Sequence, residues 1–100
     1  MARLPILPLY VADYRADTAR LSTEQHGAYL LLLMDQWMNG PIPDDDDVLA
    51  RITGLMLGAW LKHRPSIEPF FVIGGDGVRT WSSRRLEVER QAVHQRREKN

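Results

Sequence analysis

Residues 22–39 read STEQHGAYLLLLMDQWMN, and no other segment constrains the fold as much. Ser22 offers an N-cap, Gln25 three residues later completes a capping box, and Glu24 sits where the helix dipole favours a carboxylate. Ala28, Leu31, Leu32, Trp37 and Met38 carry the helical period, while Tyr29, Leu30, Leu33 and Met34 fill the other faces. Asn39-Gly40-Pro41 stops the helix, because glycine accepts a left-handed cap and proline cannot extend the turn. A helix so apolar on nearly every side must stand at the centre of its domain.

The rest of the chain supplies the material to surround it. One hundred residues suit one domain spanning 1–100, and 44% hydrophobic residues suffice for a core. Residues 1–21 are broken by Pro5 and Pro8 and read as an extended lead-in, with a short turn at Asp13–Ala19. A second helix starts at the acidic run Asp44–Asp47; Val48, Leu49 and Ile52 form its apolar edge, and Thr53-Gly54 ends it. A third covers Met56 to Arg64, anchored by Trp60 and Leu61, with Pro65 expected to end or kink it. Phe70–Ile73 and Val78–Trp81 are β-prone runs around Gly74-Gly75-Asp76-Gly77, the pattern of a hairpin. Ser82 or Ser83 then caps a charged C-terminal helix over 83–100, with Leu86 and Val93 as a thin apolar seam. Tyr29, Leu32, Trp37, Trp60 and Phe71 are the expected core.

The predicted fold class is α+β, mostly α. Three helices followed by a hairpin is the order of a winged helix-turn-helix domain, with the hairpin as wing. The same order also serves purely structural α+β units.

Several chemistries find no support. The chain has no cysteine, which excludes a disulfide framework, a thiol nucleophile and a thiolate zinc site. Asp44–Asp47 lacks the alternation and glycine of a calcium loop, and a helix N-terminus explains it better. Asp13 and Asp17 lack the further carboxylates and lysine of a nuclease cluster. His26, His63 and His94 make no metal-ligating pair. Gly74–Gly77 has neither the lysine nor the spacing of a P-loop. No enzyme activity, cofactor or metal is expected. MARLPILPLY makes a poor signal peptide and no apolar stretch could span a membrane, so the expected location is the cytoplasm, with no membrane partner.

Charge is the feature that points to a partner. The formal net charge is zero, yet residues 1–50 hold three Lys/Arg against eight Asp/Glu, a net of −5, and residues 51–100 hold ten against five, a net of +5. Such a split suits a nucleic-acid face on an otherwise neutral domain, and equally a solvated helix with i,i+4 charge pairs. On the winged arrangement Arg51, Lys62, His63, Arg64, Arg79, Arg84 and Arg85 fall where a phosphate backbone is within reach. Against base readout, Leu55-Met56-Leu57-Gly58-Ala59-Trp60 at the front of the third helix carries almost no hydrogen-bonding side chain. That apolar front could instead pack on another subunit.

A series of motifs stands in order along the chain. These are Asp13-Tyr14, Asp17-Thr18, Leu21-Ser22, Gly27-Ala28-Tyr29-Leu30, Trp37, Pro43-Asp44-Asp45, Leu49-Ala50-Arg51, Trp60, Phe70-Phe71 and Arg85-Leu86 with Glu89. From about Leu9 to Glu89 the chain resembles the YdaU-like domain family of phage and prophage proteins. The resemblance implies a compact winged-helix-type unit of phage or prophage origin, often the N-terminal part of a longer protein encoded in replication regions. By analogy it implies a role in origin binding or initiation. Two features depart from the family: members tend to have a more polar start to the third helix, and many continue well beyond the basic helix. The chain is then either one domain of a longer protein or a short stand-alone member.

Two functions follow as expectations. The first is a DNA-binding accessory or initiator module of phage DNA replication, weakly sequence-specific and contacting mainly phosphates. The second is a protein-interaction module without DNA binding, forming a homodimer or binding a host or phage replication or defence protein.

Overall fold

The computed structural model describes residues 6–75, 77–83 and 86. The elements in chain order are α1 (Val11–Asp17), α2 (Thr23–Asn39), β1 (Ile42–Pro43), α3 (Asp46–Thr53), α4 (Leu57–Ile67), a 3₁₀ turn (Glu68–Phe70), β2 (Val72–Gly74) and β3 (Thr80–Ser82). The fold is α+β and mostly helical, as the pattern of the chain predicts.

Helix α2 forms where its caps place it. The Ser22 hydroxyl accepts from the Gln25 amide at 3.1 Å while the Gln25 side chain accepts from the Ser22 amide at 2.9 Å. At the far end Gly40 takes φ +88° and its amide bonds to the Gln36 carbonyl. Leu32, Leu33 and Trp37 of α2 are buried with Leu49, Trp60, Ile67, Phe71 and Trp81 in one core cluster. Tyr29, expected in the core, is partly buried and packs against it.

The sheet holds three antiparallel strands in the order β1-β3-β2. Ile42 pairs with Trp81 on one side of β3, and Ile73 pairs with Trp81 on the other. The hairpin therefore exists, but its strands begin two residues later than the apolar runs suggest. Phe70 belongs to the 3₁₀ turn, and Phe71 follows it with a buried side chain. Strand β1 has no counterpart in the sequence pattern: two residues, one a proline and preceded by another, carry no periodicity, and an edge position tolerates Pro43. In the hairpin loop Gly75 takes φ +132°, and a Cβ there would lie 2.9 Å from the Val78 carbonyl oxygen.

Two further expectations change, and a third falls outside the described residues. The lead-in is not wholly extended, because Val11–Asp17 winds into helix α1. Its Tyr14 ring packs against Tyr29, and the Thr18 hydroxyl donates to the Tyr14 carbonyl at 2.6 Å, while Tyr10 at its start makes no side-chain cap, so tertiary contact and a C-terminal cap hold this short helix. Pro65 does not end α4, which runs on to Ile67. The proline forfeits one backbone bond, while fully buried Ile67 and an Arg64–Glu68 bond of 2.9 Å hold the last turn. The expected C-terminal helix lies outside the described residues except at its start, where the Ser83 hydroxyl accepts from the Leu86 amide at 3.3 Å.

Candidate nucleic-acid interface

Helices α3 and α4 are joined by three residues, Gly54 to Met56. Gly54 takes the left-handed conformation at φ +72°, and its amide closes on the Ala50 and Arg51 carbonyls. This tight link sets α4 across the end of α3 and brings Arg51, in the last turn of α3, and Lys62, on α4, to the surface. Arg79, in the approach to β3, is also exposed (side chain 67%), its Nε 3.5 Å from Asp44 Oδ2. These three cations are open to solvent.

His63 and Arg64 are not. His63 Nε2 lies 2.9 Å from Glu24 Oε2, and its Nδ1 lies 3.2 Å from the Gln25 side-chain amide, so the imidazole ties α4 to the first turn of α2. Arg64 is held by three carboxylates: its Nη1 donates to Asp46 at 2.6 Å, its Nη2 to Asp44 at 3.0 Å and its Nε to Glu68 at 2.9 Å. The guanidinium also lies over the Trp81 ring, 5.0 Å from its centroid. Burial would lower the Arg64 pKa, but the bonds to Glu68 and Asp46 and the charges of Asp46 and Asp44 outweigh it and raise it. Arg84 and Arg85 lie outside the described residues.

Behind this surface the acidic run does more than cap a helix. Asp45 alone acts as N-cap, accepting from the Asp47 amide at 2.9 Å. Asp44 Oδ1 accepts from the Trp81 indole N–H at 2.8 Å, and Asp46 Oδ1 accepts from the Trp60 indole N–H at 2.8 Å. Two buried tryptophans, an arginine and three carboxylates thus form one network linking α3, α4 and β3. The Trp60 bond, the largest influence, and Arg64 hold the Asp46 carboxyl below its usual range against the opposing effect of burial. The sequence carries one clue to this network: a buried indole N–H needs an acceptor, and two tryptophans lie within reach of one acidic run.

A second buried polar anchor leaves no mark in the sequence pattern. Gln36, fully buried on α2, accepts from the Ser83 amide at 2.8 Å and ties the exit of β3 to the central helix.

The front of α4 is apolar. Met56 (82% exposed), Leu57 (43%) and Leu61 (47%) stand in solvent beside Lys62. The described residues hold six Lys/Arg against nine Asp/Glu, a net of −3, and of the second half's net +5 residues 84–99 carry +3, six Lys/Arg against three Glu. Among the described residues, no group of His, Asp or Glu is arranged to hold a metal ion, and no helix is long and apolar enough to cross a membrane.

Comparison with known proteins agrees with the motif order. The chain is 42% identical over 97 residues to the Uncharacterized protein YdaU of Escherichia coli (strain K12), an alignment covering 96% of this chain and 32% of that protein. The chain therefore spans about a third of the length of this relative. No solved structure matches it. Residues 5–90 match the model of the family of proteins of unknown function DUF1376, and the chain belongs to that family.

Proposed function

We propose that this chain is a winged helix-turn-helix domain that binds DNA mainly through its phosphates and serves phage DNA replication as a non-enzymatic accessory or initiator module in the cytoplasm. The observation that carries this reading is the element order from α2 onward: helix, strand, helix, helix, two strands, with β1-β3-β2 as the sheet order. The three-residue, glycine-containing turn between α3 and α4 supports it, since helix-turn-helix units are joined in this way. In this arrangement α3 and α4 are the turn unit and the β2–β3 hairpin is the wing.

Phosphate contacts fall to Arg51, Lys62 and Arg79, with Arg84 and Arg85 following in the chain. Arg64 and His63 leave this set, because a guanidinium already bonded to three carboxylates and an imidazole bonded to Glu24 have little left to offer a phosphate. Base readout is weak, since α4 offers Met56, Leu57 and Leu61 where polar side chains would be needed. The replication role rests on the family resemblance alone.

Fluorescence anisotropy with a random-sequence duplex over several salt concentrations tests the reading. Binding should weaken as salt rises, and an Arg51/Lys62/Arg79 triple alanine variant should show a shallower log–log slope, by roughly 0.9 for each phosphate that is no longer neutralised. No binding at low salt would refute it.

The apolar front of α4 favours a second reading, a protein-interaction module that forms a homodimer or engages a replication or defence protein. Under that reading light scattering detects a dimer or a partner complex, Leu57→Glu abolishes it, and DNA binding is absent.

A further inference from the structure

Helix α2 is apolar nearly all round, yet only one face of it meets the core, where Ala28, Leu32, Leu33, Gln36 and Trp37 are buried. The opposite face carries Gly27, Leu31, Met34 and Met38, all exposed, with Leu31 at 42%, Met34 at 46% and Met38 at 39%. A helix face turned to water ordinarily carries charged and polar side chains. Here the charges are Glu24 at the start and Asp35 on the flank, and both are engaged. Glu24 lies 2.9 Å from His63, and Asp35 accepts from Asn39 at 3.2 Å. No Lys or Arg lies on α2, and the His26 ring is turned to the Tyr14 hydroxyl, 2.7 Å away. An anionic membrane surface or a phosphate backbone would need cations beside the apolar stripe, so neither fits it. A protein does.

The spacing of the stripe specifies which protein. Its residues are separated by steps of 4, 3 and 4, the a/d spacing of a helix that packs along another. Consider a second copy laid antiparallel, with the two-fold axis level with the Leu32–Leu33 peptide. Leu31 then faces Met34 of the partner subunit, Gly27 faces the partner's Met38, and each contact occurs twice. The long Met38 thus meets the residue without a side chain, where a would-be Cβ has nothing within 4 Å. Methionine's unbranched side chain fills such a hollow readily. The face is complementary to itself. Both Asp35 carboxylates come to the same flank of the pair, a repulsion that salt screens.

We propose that this face of α2 is a homodimer interface, two copies pairing antiparallel through Gly27, Leu31, Met34 and Met38. It rests on neither reading above, since the proposed phosphate ligands and the apolar front of α4 both lie off α2. So few positions make a smaller contact than a standard interface, and the association is weak.

Sedimentation equilibrium of the full chain tests it, from roughly 10 µM to roughly 1 mM. The mean mass should rise from the 11.5 kDa of one chain toward twice that, and more readily at high salt. Leu31→Lys and Met34→Glu, both at exposed positions, should each weaken association at least about tenfold with circular dichroism unchanged. An equimolar mixture of the two variants should recover it to within about threefold of the unmodified chain, because the introduced cation then faces the introduced anion across the axis. Leu57→Glu should leave the dimer intact. A single chain at every concentration, a dimer lost in Leu57→Glu but kept in Leu31→Lys, or a mixture no better than its components would overturn the pairing.

Discussion

Arg64 shows how a residue type can mislead about its use. By composition it is a phosphate ligand, but its surroundings make it a strut. Its guanidinium satisfies Asp44, Asp46 and Glu68, and two of those carboxylates also satisfy the indoles of Trp81 and Trp60. Removing one member deprives the others of a partner in a partly buried setting. Arg64→Ala and Asp44→Ala should each cost about 2–3 kcal/mol in urea denaturation. The double variant should cost clearly less than the sum, since the second change removes a group that has already lost its bond to the first. The same network sets an acid limit. The Asp46 pKa is depressed below its ordinary 3.8, so the unfolded chain binds this proton at higher pH than the folded one does. The stability it contributes is present above the unfolded value and is lost as pH falls through the folded one. Urea midpoints from pH 7 down to pH 2.5 should therefore drop in the acid range, and the drop should be smaller in Asp46→Asn.

Element by element, local chemistry places the helices wherever a cap or a stop is written into the chain. Ser22 with Gln25, Gly40, and the Thr53-Gly54 end of α3 all stand where the residue types put them. Gly54 has open space around a would-be Cβ, so the cost of Gly54→Ala is backbone strain alone at φ +72°. It should be about 1 kcal/mol, read as a lowered melting temperature, while Gly27→Ala, in mid-helix with equally open space, should be neutral or stabilising. Elements that depend on tertiary contact depart from the local pattern. Helix α1 has no side-chain cap at its N-terminus and leans on Tyr29 through Tyr14, and α4 survives Pro65 because Ile67 is buried beyond it. Strand β1 is two residues long and exists because β3 lies alongside. The candidate phosphate ligands follow the same division. Arg51, Lys62 and Arg79 are legible as surface cations, but that His63 and Arg64 are engaged elsewhere depends on partners 18 to 39 positions away.

Across the whole molecule, one core joins the helices to the sheet. Trp60 and Trp81 are fully buried with centroids 5.9 Å apart, and Trp37 is nearly so. Tryptophan emission should therefore be blue-shifted in the native protein. It should move to water-like wavelengths in one denaturant transition coincident with the loss of far-UV dichroism; two separate transitions would mean that the helices and sheet fold independently. The sequence by itself determined the α+β class, the central helix, the order of α2, α3, α4 and the hairpin, and the family, because caps, glycine stops and apolar periodicity act over a few residues and need no distant partner. Only the tertiary structure decided the third strand and the fate of each charge. Those depend on which side chains are brought within bonding distance, and a carboxylate that caps a helix has the same local sequence as one that clasps an arginine and a tryptophan.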